Sequence, residues 1–216
     1  MRQSQLAMPR TDSVFTPLPG FRLLPGFLDA ARQRELMAQV QAVLDAAPPY
    51  HATMPKSGQK MSVAMTNAGA LGWYTDKDRG YRYIAQHPDT GQAWPAIPDI
   101  ALDVWRSVTA PDAPEPEACL INLYREAAKM GLHQDRDEAD FAVPVVSISL
   151  GDEALFRLGG TSRKGSTRSF KLSSGDVLVL GGAARLAFHG IDRVIGGTSR
   201  LVPGGGRINL TLRRVT

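Results

Sequence analysis

The stretch RINLTLR, residues 207–213, alternates strictly between two chemistries. Arg207, Asn209, Thr211 and Arg213 take the odd places, while Ile208, Leu210 and Leu212 take the even ones. Side chains on a β-strand point alternately to opposite faces, so this pattern predicts a strand with one apolar face against a core. The other face carries two guanidiniums and an amide. Two readings of that face stand. It is the wet side of an edge strand, or it is a receptor for a small dianion, because the planar fork of arginine grips a carboxylate through two parallel hydrogen bonds.

Working outward from this strand, the second half of the chain has one texture. ACLINLY (118–124), VPVVSISLG (143–151), ALFRLGG (154–160), RSFKLSSGDVLVLGG (168–182) and LAFHGI (186–191) are short and rich in β-branched or aromatic residues. Gly, Ser and Asp separate them, as turns require. Many short strands of this kind predict a mainly β fold with flanking helices, built on a jelly roll. The helices lie upstream. DAARQRELMAQVQAVLDAAPP (29–49) sets Leu36, Val40, Val43 and Leu44 on one face, with Asp29 as N-cap and Pro48–Pro49 as the stop. A second helix is expected after Pro98, with Ile100, Val104 and Val108 at helical spacing. No linker separates the halves. The expected organisation is one domain: an extended lead-in over 1–19, helices and a lid over 20–115, and the core over 116–216.

The 216 residues suffice to bury a core without cross-links, and 43% of them are hydrophobic. Cys119 is the sole cysteine, so no intramolecular disulfide forms and a reducing compartment is the simplest expectation. No apolar run approaches the ~20 residues that cross a bilayer, and the N-terminus lacks an apolar leader core. A cytoplasmic monomer without a membrane partner is expected. The net charge of +4 permits a polyanionic partner without requiring one.

MGLHQDRDE (130–138) places His133 two residues before Asp135. In an extended segment such residues share a face, roughly 6.6 Å apart along the strand. An imidazole and a carboxylate there can converge on one ion, and His189, in LAFHGI, is a candidate third ligand. Two histidines and one carboxylate form the facial triad of non-haem Fe(II) oxygenases, which leaves positions open for substrate and oxygen. Taken singly, each has a plainer reading, a solvated charged turn for His133–Asp135 and a satisfied core histidine for His189. ACLINLY repeats the alternation of the last strand, with Asn122 and Tyr124 opposite Cys119, Ile121 and Leu123.

Together these stretches resemble the AlkB family of Fe(II)/2-oxoglutarate-dependent nucleic-acid dealkylases. The likeness is carried by NLYREAAKMGLHQDRDE, VSISLG, GDVLVLGG, FHGI and RINLTLR, with MSVAMTNAGALGW and GYRY upstream. The combination H-x-D…H followed by R-x-N-x-x-x-R is its most specific part. The resemblance implies that His133, Asp135 and His189 hold Fe(II) at the mouth of a double-stranded β-helix. It implies that Asn122, Tyr124, Arg207, Asn209 and Arg213 bind 2-oxoglutarate, Arg213 being the expected partner of the distal carboxylate. The implied reaction couples 2-oxoglutarate and O2 to succinate, CO2 and formaldehyde.

The same resemblance implies a substrate of alkylated DNA, single-stranded or with a flipped base, and RNA as a further one. Bases such as 1-methyladenine and 3-methylcytosine carry positive charge, which suits stacking on Trp73 and a carboxylate from Asp137. Met65, Tyr81, Tyr83 and Arg163 complete the implied substrate set, and Lys56, Lys60, Arg79, Arg82, Lys164 and Arg168 sit in loops suited to phosphates. One departure is visible: Gln59 stands where the lid of the family carries an aromatic residue. The competing readings are a hydroxylase of a protein or small molecule with the same triad, a silent nucleic-acid-binding domain, and a zinc site.

Overall fold

The computed structural model describes residues 17–125 and 127–216, so most of the expected lead-in lies outside the described residues. Twelve strands, two α-helices and a short 3-10 helix at Gly182–Ala184 are described. The strands are β1 (Phe21–Leu24), β2 (Ala64–Gly69), β3 (Gly72–Asp76), β4 (Gly80–Ile84), β5 (Ala118–Tyr124) and β6 (Met130–His133), then β7 (Val145–Gly151), β8 (Glu153–Leu158), β9 (Arg168–Leu172), β10 (Val177–Leu180), β11 (His189–Ile195) and β12 (Arg207–Arg213). The helices are α1 (Ala30–Ala46) and α2 (Asp99–Val108). A six-stranded antiparallel sheet runs β1-β10-β7-β12-β5-β2, a four-stranded one runs β6-β11-β8-β9, and β3 pairs with β4 as a separate hairpin.

The alternation of β12 resolves here. The strand lies between β7 and β5, hydrogen-bonded on both sides, so it is no edge. Ile208, Leu210 and Leu212 pack outward against α1 and α2, in a cluster with Cys119, Ile121, Val146, Ile148, Leu36, Val40, Val104 and Trp105. Each such Leu, Ile or Val removed from water contributes about 1.5–3 kcal/mol, which sets the helices on this face of the sheet. Asp29 caps α1 as expected, accepting the Arg32 N–H at 2.8 Å. The polar face of β12 points inward, where a second cluster including Phe21, Val145, Phe156, Leu158 and Ile191 joins the two sheets.

Two boundaries differ from the sequence reading. RSFKLSSGDVLVLGG is two strands in two sheets. Gly175, at φ +88°, turns the chain, and the Asp176 carboxylate accepts the Ser173 N–H at 2.7 Å. A side chain at position 175 would meet the Leu28 carbonyl at 2.4 Å. In LAFHGI only the second half is strand. The six-stranded sheet also takes β1 and β2 from residues before 116. FRLL in β1 is only four residues long, and AMTNAG in β2 lacks the alternation that marks a strand.

Candidate active site

The decisive register is a single pair: His189, the first residue of β11, lies directly across from His133, the last residue of β6. The ring centroids are 4.5 Å apart. Asp135 follows in the loop after β6, with Oδ1 3.7 Å from His133 Nε2 and Oδ2 3.7 Å from His189 Nε2. One donor atom from each of the three residues falls within 4.8 Å of the others. The backbone explains the convergence. Between the pairs His189↔His133 and Ile191↔Met130 the register shifts, β6 carrying the extra residue of a bulge. Gly190 permits it, because a Cβ there would stand 2.5 Å from the Met130 carbonyl oxygen.

Each imidazole is locked in one tautomer. His133 Nδ1 donates to the Gly131 carbonyl at 3.0 Å and His189 Nδ1 donates to Ala187 at 2.9 Å. Both Nε2 lone pairs therefore face Asp135, as metal ligation requires. Burial, reinforced by His133, lowers the pKa of His189 to about 4, so it stays neutral. Burial alone would raise Asp135, but Arg213, the two histidines and Arg185 outweigh it and hold the carboxyl far below its ordinary range. Two imidazoles and one carboxylate, not hydrogen-bonded to one another, form the donor set of a divalent transition metal.

Deeper in the barrel, β5 and β12 set their polar residues opposite one another, Tyr124↔Arg207 and Asn122↔Asn209. Arg207 is 1% exposed, and its one hydrogen bond is from Nη2 to the Ser149 hydroxyl at 2.8 Å. Its Nε and Nη1 have no partner, and neither has Asn122 Oδ1. Buried polar atoms are nearly always paired, so an unpaired guanidinium edge is open to an anion. Arg213 differs. It donates to Asp135 Oδ1 at 2.8 Å, and its Nε lies 3.4 Å from Glu138. Of the two arginines on β12, Arg213 thus faces two carboxylates and Arg207 has none within hydrogen-bond reach. Asn209 bonds within the sheet, donating to the Ser147 hydroxyl at 2.7 Å.

The sequence pattern of the 2OG-Fe(II) oxygenase superfamily matches residues 20–213. The alpha-ketoglutarate-dependent dioxygenase AlkB homolog of Caulobacter vibrioides is 57% identical over 199 residues, 92% of this chain and 89% of the relative. The alpha-ketoglutarate-dependent dioxygenase AlkB of Escherichia coli K12 is 43% identical, over 77% of each chain. The chain belongs to the AlkB family of 2OG-Fe(II) oxygenases. It also superimposes on the solved structure of OsALKBH1 with a TM-score of 0.77 at 32% identity, covering 93% of this chain and 99% of that one. As in the AlkB family at large, the chain is a dioxygenase that uses Fe(II) and 2-oxoglutarate. The donor set and the orphaned Arg207 edge both fit those two groups.

The substrate residues expected from the AlkB resemblance divide. Trp73 on β3 stacks with Tyr81 on β4, ring centroids 5.6 Å apart, and Tyr81 is the more exposed. Trp73 Nε1 donates to Asp137 Oδ2 at 2.8 Å, which ties the β3–β4 hairpin to the loop carrying Asp135. Arg163 sits over the ring of Phe188, the neighbour of His189. Tyr83 lies across the hairpin from Trp73, and Met65 pairs with Asn122 in the larger sheet. The Tyr83 hydroxyl donates to Glu138, and Met65 is fully buried among Tyr50, Trp94 and Leu120. Gln59 is exposed at the turn of the 53–60 loop, where its carbonyl accepts the Met54 N–H. The sequence reading passed over Glu138 and Arg185. Glu138 was visible as a third acid after His133, but nothing in GGAARLAF marks Arg185 as a buried partner.

Proposed function

We propose that this chain removes alkyl groups oxidatively from N-alkylated bases such as 1-methyladenine and 3-methylcytosine in DNA, with RNA as a further substrate. The observation that carries the reading is the register pair His133↔His189 with Asp135 beside it, above the unpaired donors of Arg207. The names of the relatives point the same way, including a DNA N(6)-methyladenine demethylase of Arabidopsis thaliana, which is 39% identical over 45% of this chain.

In this reading His133, Asp135 and His189 hold the iron by Nε2, carboxylate and Nε2. Arg207 grips the distal carboxylate of 2-oxoglutarate, with Asn122 and Tyr124 beside it, while Asn209 and Arg213 line the same face. Bound there, Fe(II) and 2-oxoglutarate activate O2 so that one oxygen atom is spent on succinate formation and the other on the alkyl carbon, which leaves as formaldehyde from a methyl group. Trp73 supplies an aromatic face to a cationic base, flipped or single-stranded, and the free lone pairs of Asp137 meet its charge and exocyclic amine. Tyr81 and Arg163 border the opening, where Arg163 can meet a phosphate. The lid is the β3–β4 hairpin with the 53–60 loop, inside residues 20–115. We also infer a cytoplasmic monomer. The lone, buried Cys119 supports a reducing compartment, and Met54, Tyr81 and Phe141, the large apolar side chains exposed among the described residues, are too few for a stable dimer face.

The test is formaldehyde release from a 3-methylcytosine oligonucleotide with Fe(II) and 2-oxoglutarate, set against a His133→Ala variant. Release that the variant abolishes is the expected result. Succinate formation without formaldehyde would point to a protein or small-molecule hydroxylase instead, and turnover with zinc as the sole metal would sink the iron reading.

A further inference from the structure

The lid hairpin and the metal-holding loop meet twice. Near the surface Trp73 donates to Asp137. In the interior Tyr83, on β4, donates its hydroxyl to Glu138. From there the chain of contacts continues inward. Glu138 Oε2 accepts Arg185 Nη2 at 3.0 Å, and Oε1 lies 3.4 Å from Arg213 Nε. Both arginines end on Asp135, Arg213 at its carboxylate and Arg185 at its backbone carbonyl. The side chains of all four are 6% exposed or less, so this is a sealed quartet of two acids and two bases.

Such a quartet is a poor device for stability, since apolar residues of equal volume avoid the desolvation cost. What it supplies is direction. Asp135 is held at two points by side chains that Glu138 ties together, and the hairpin holds Glu138 through one hydroxyl. Nothing in metal binding alone requires that last contact with the lid.

We propose that Glu138 is a positioning residue that, through Tyr83, couples the lid hairpin to Asp135, so that a base seated against Trp73 tightens metal binding. This rests on the proposed roles of Trp73 and of the three ligands. A base stacked on Trp73 orders the hairpin, the ordered hairpin fixes Tyr83 and Glu138, and Asp135 then meets the metal already oriented. The ordering cost falls once for two ligands. Linkage makes the effect reciprocal, so bound metal tightens the grip on the base by the same factor.

The experiment is calorimetric titration of the full chain with Mn(II) and 2-oxoglutarate, a combination without turnover. It is run alone, with a single-stranded oligonucleotide bearing one 3-methylcytosine, and with the unmethylated strand. In the natural chain the methylated strand is expected to tighten Mn(II) about five-fold or more, and the plain strand much less. Tyr83→Phe keeps the ring and loses one hydroxyl. It is expected to bind Mn(II) alone within about two-fold of the natural chain and to lose the tightening. Glu138→Gln is expected to weaken Mn(II) with or without the strand. Full tightening in Tyr83→Phe would overturn the coupling, as would its absence from a natural chain that binds Mn(II) and releases formaldehyde. A chain that binds no Mn(II) would overturn the site reading itself, and the coupling with it.

Discussion

Arg207 and Arg213 share one face of one strand and lead opposite electrostatic lives. Arg213 neutralises Asp135 and Glu138, which pull its pKa up against the cost of burial. Arg207 has no carboxylate in hydrogen-bond reach, and burial lowers its pKa to about 10. Asp176, whose field it feels, is already satisfied by the N–H groups of Gly26 and Ser173. Arg213→Met therefore strands two buried carboxylates and is expected to cost about 3–5 kcal/mol in denaturant unfolding. Arg207→Met is expected to leave stability unchanged or raised, while calorimetry shows about 2–5 kcal/mol lost from 2-oxoglutarate binding. Equal destabilisation by both would contradict this division. His189 adds a pH dependence to the metal-free protein. Its folded pKa is depressed, to about 4, below the ordinary histidine value, so between those limits the unfolded chain binds more protons. Stability should rise with pH across that window and level off above it, and His189→Gln should flatten the slope. At this scale the sequence was partly legible. Alternation revealed which side chains share a face, and H-x-D marked two residues that the fold brings beside His189. Which arginine stays free was hidden, because that depends on Glu138 and Arg185 arriving from other loops.

The elements show where pattern reading runs out. β12 was legible because an apolar face opposite a polar one gives strict alternation, and β5 was legible in part, with Leu120 sharing the face of Asn122 and Tyr124. The β3–β4 hairpin was not, since its residues answer to Asp137, Glu138 and Asn67 rather than to one apolar face. Asn67 illustrates the point: its amide accepts the Trp73 N–H at 2.9 Å and donates to the Trp73 carbonyl at 3.1 Å, holding the strand from its side. The β9–β10 segment read as one piece because its turn, SSGD, is short and Phe170 and Leu172 before it alternate like a strand running on into VLVL. At the β6–β11 junction the constraint is steric. Gly190→Ala would drive a methyl into the Met130 carbonyl and push β6 from β11, while β8 still holds β11 from the other side. Mn(II) affinity is expected to fall about 10–100-fold with little change in far-ultraviolet circular dichroism. Unchanged affinity would mean that the bulge does not set the separation of the two imidazoles.

For the molecule as a whole, site and scaffold are thermodynamically one, because His133, Asp135 and His189, from two separated segments, meet only when the sheets are assembled. Mn(II) that binds the folded form alone should add about 2.7 kcal/mol of stability at about a hundred-fold over its Kd. Scanning calorimetry should show the midpoint rise by roughly 5–11 °C for a chain of this length. The His133→Ala variant should show less than half of that rise. The jelly roll itself was legible from strand density and turn residues, whereas the two outer strands of the larger sheet come from segments without that texture. One consequence of the bulge reaches past the iron. β6 is the border of its sheet, a row of backbone donors and acceptors that a stray strand from another polypeptide would find ready to pair. Four residues long and kinked by its extra one, it offers no straight run for such docking. The distortion that aims an imidazole thus also guards the protein against sticking to its own copies.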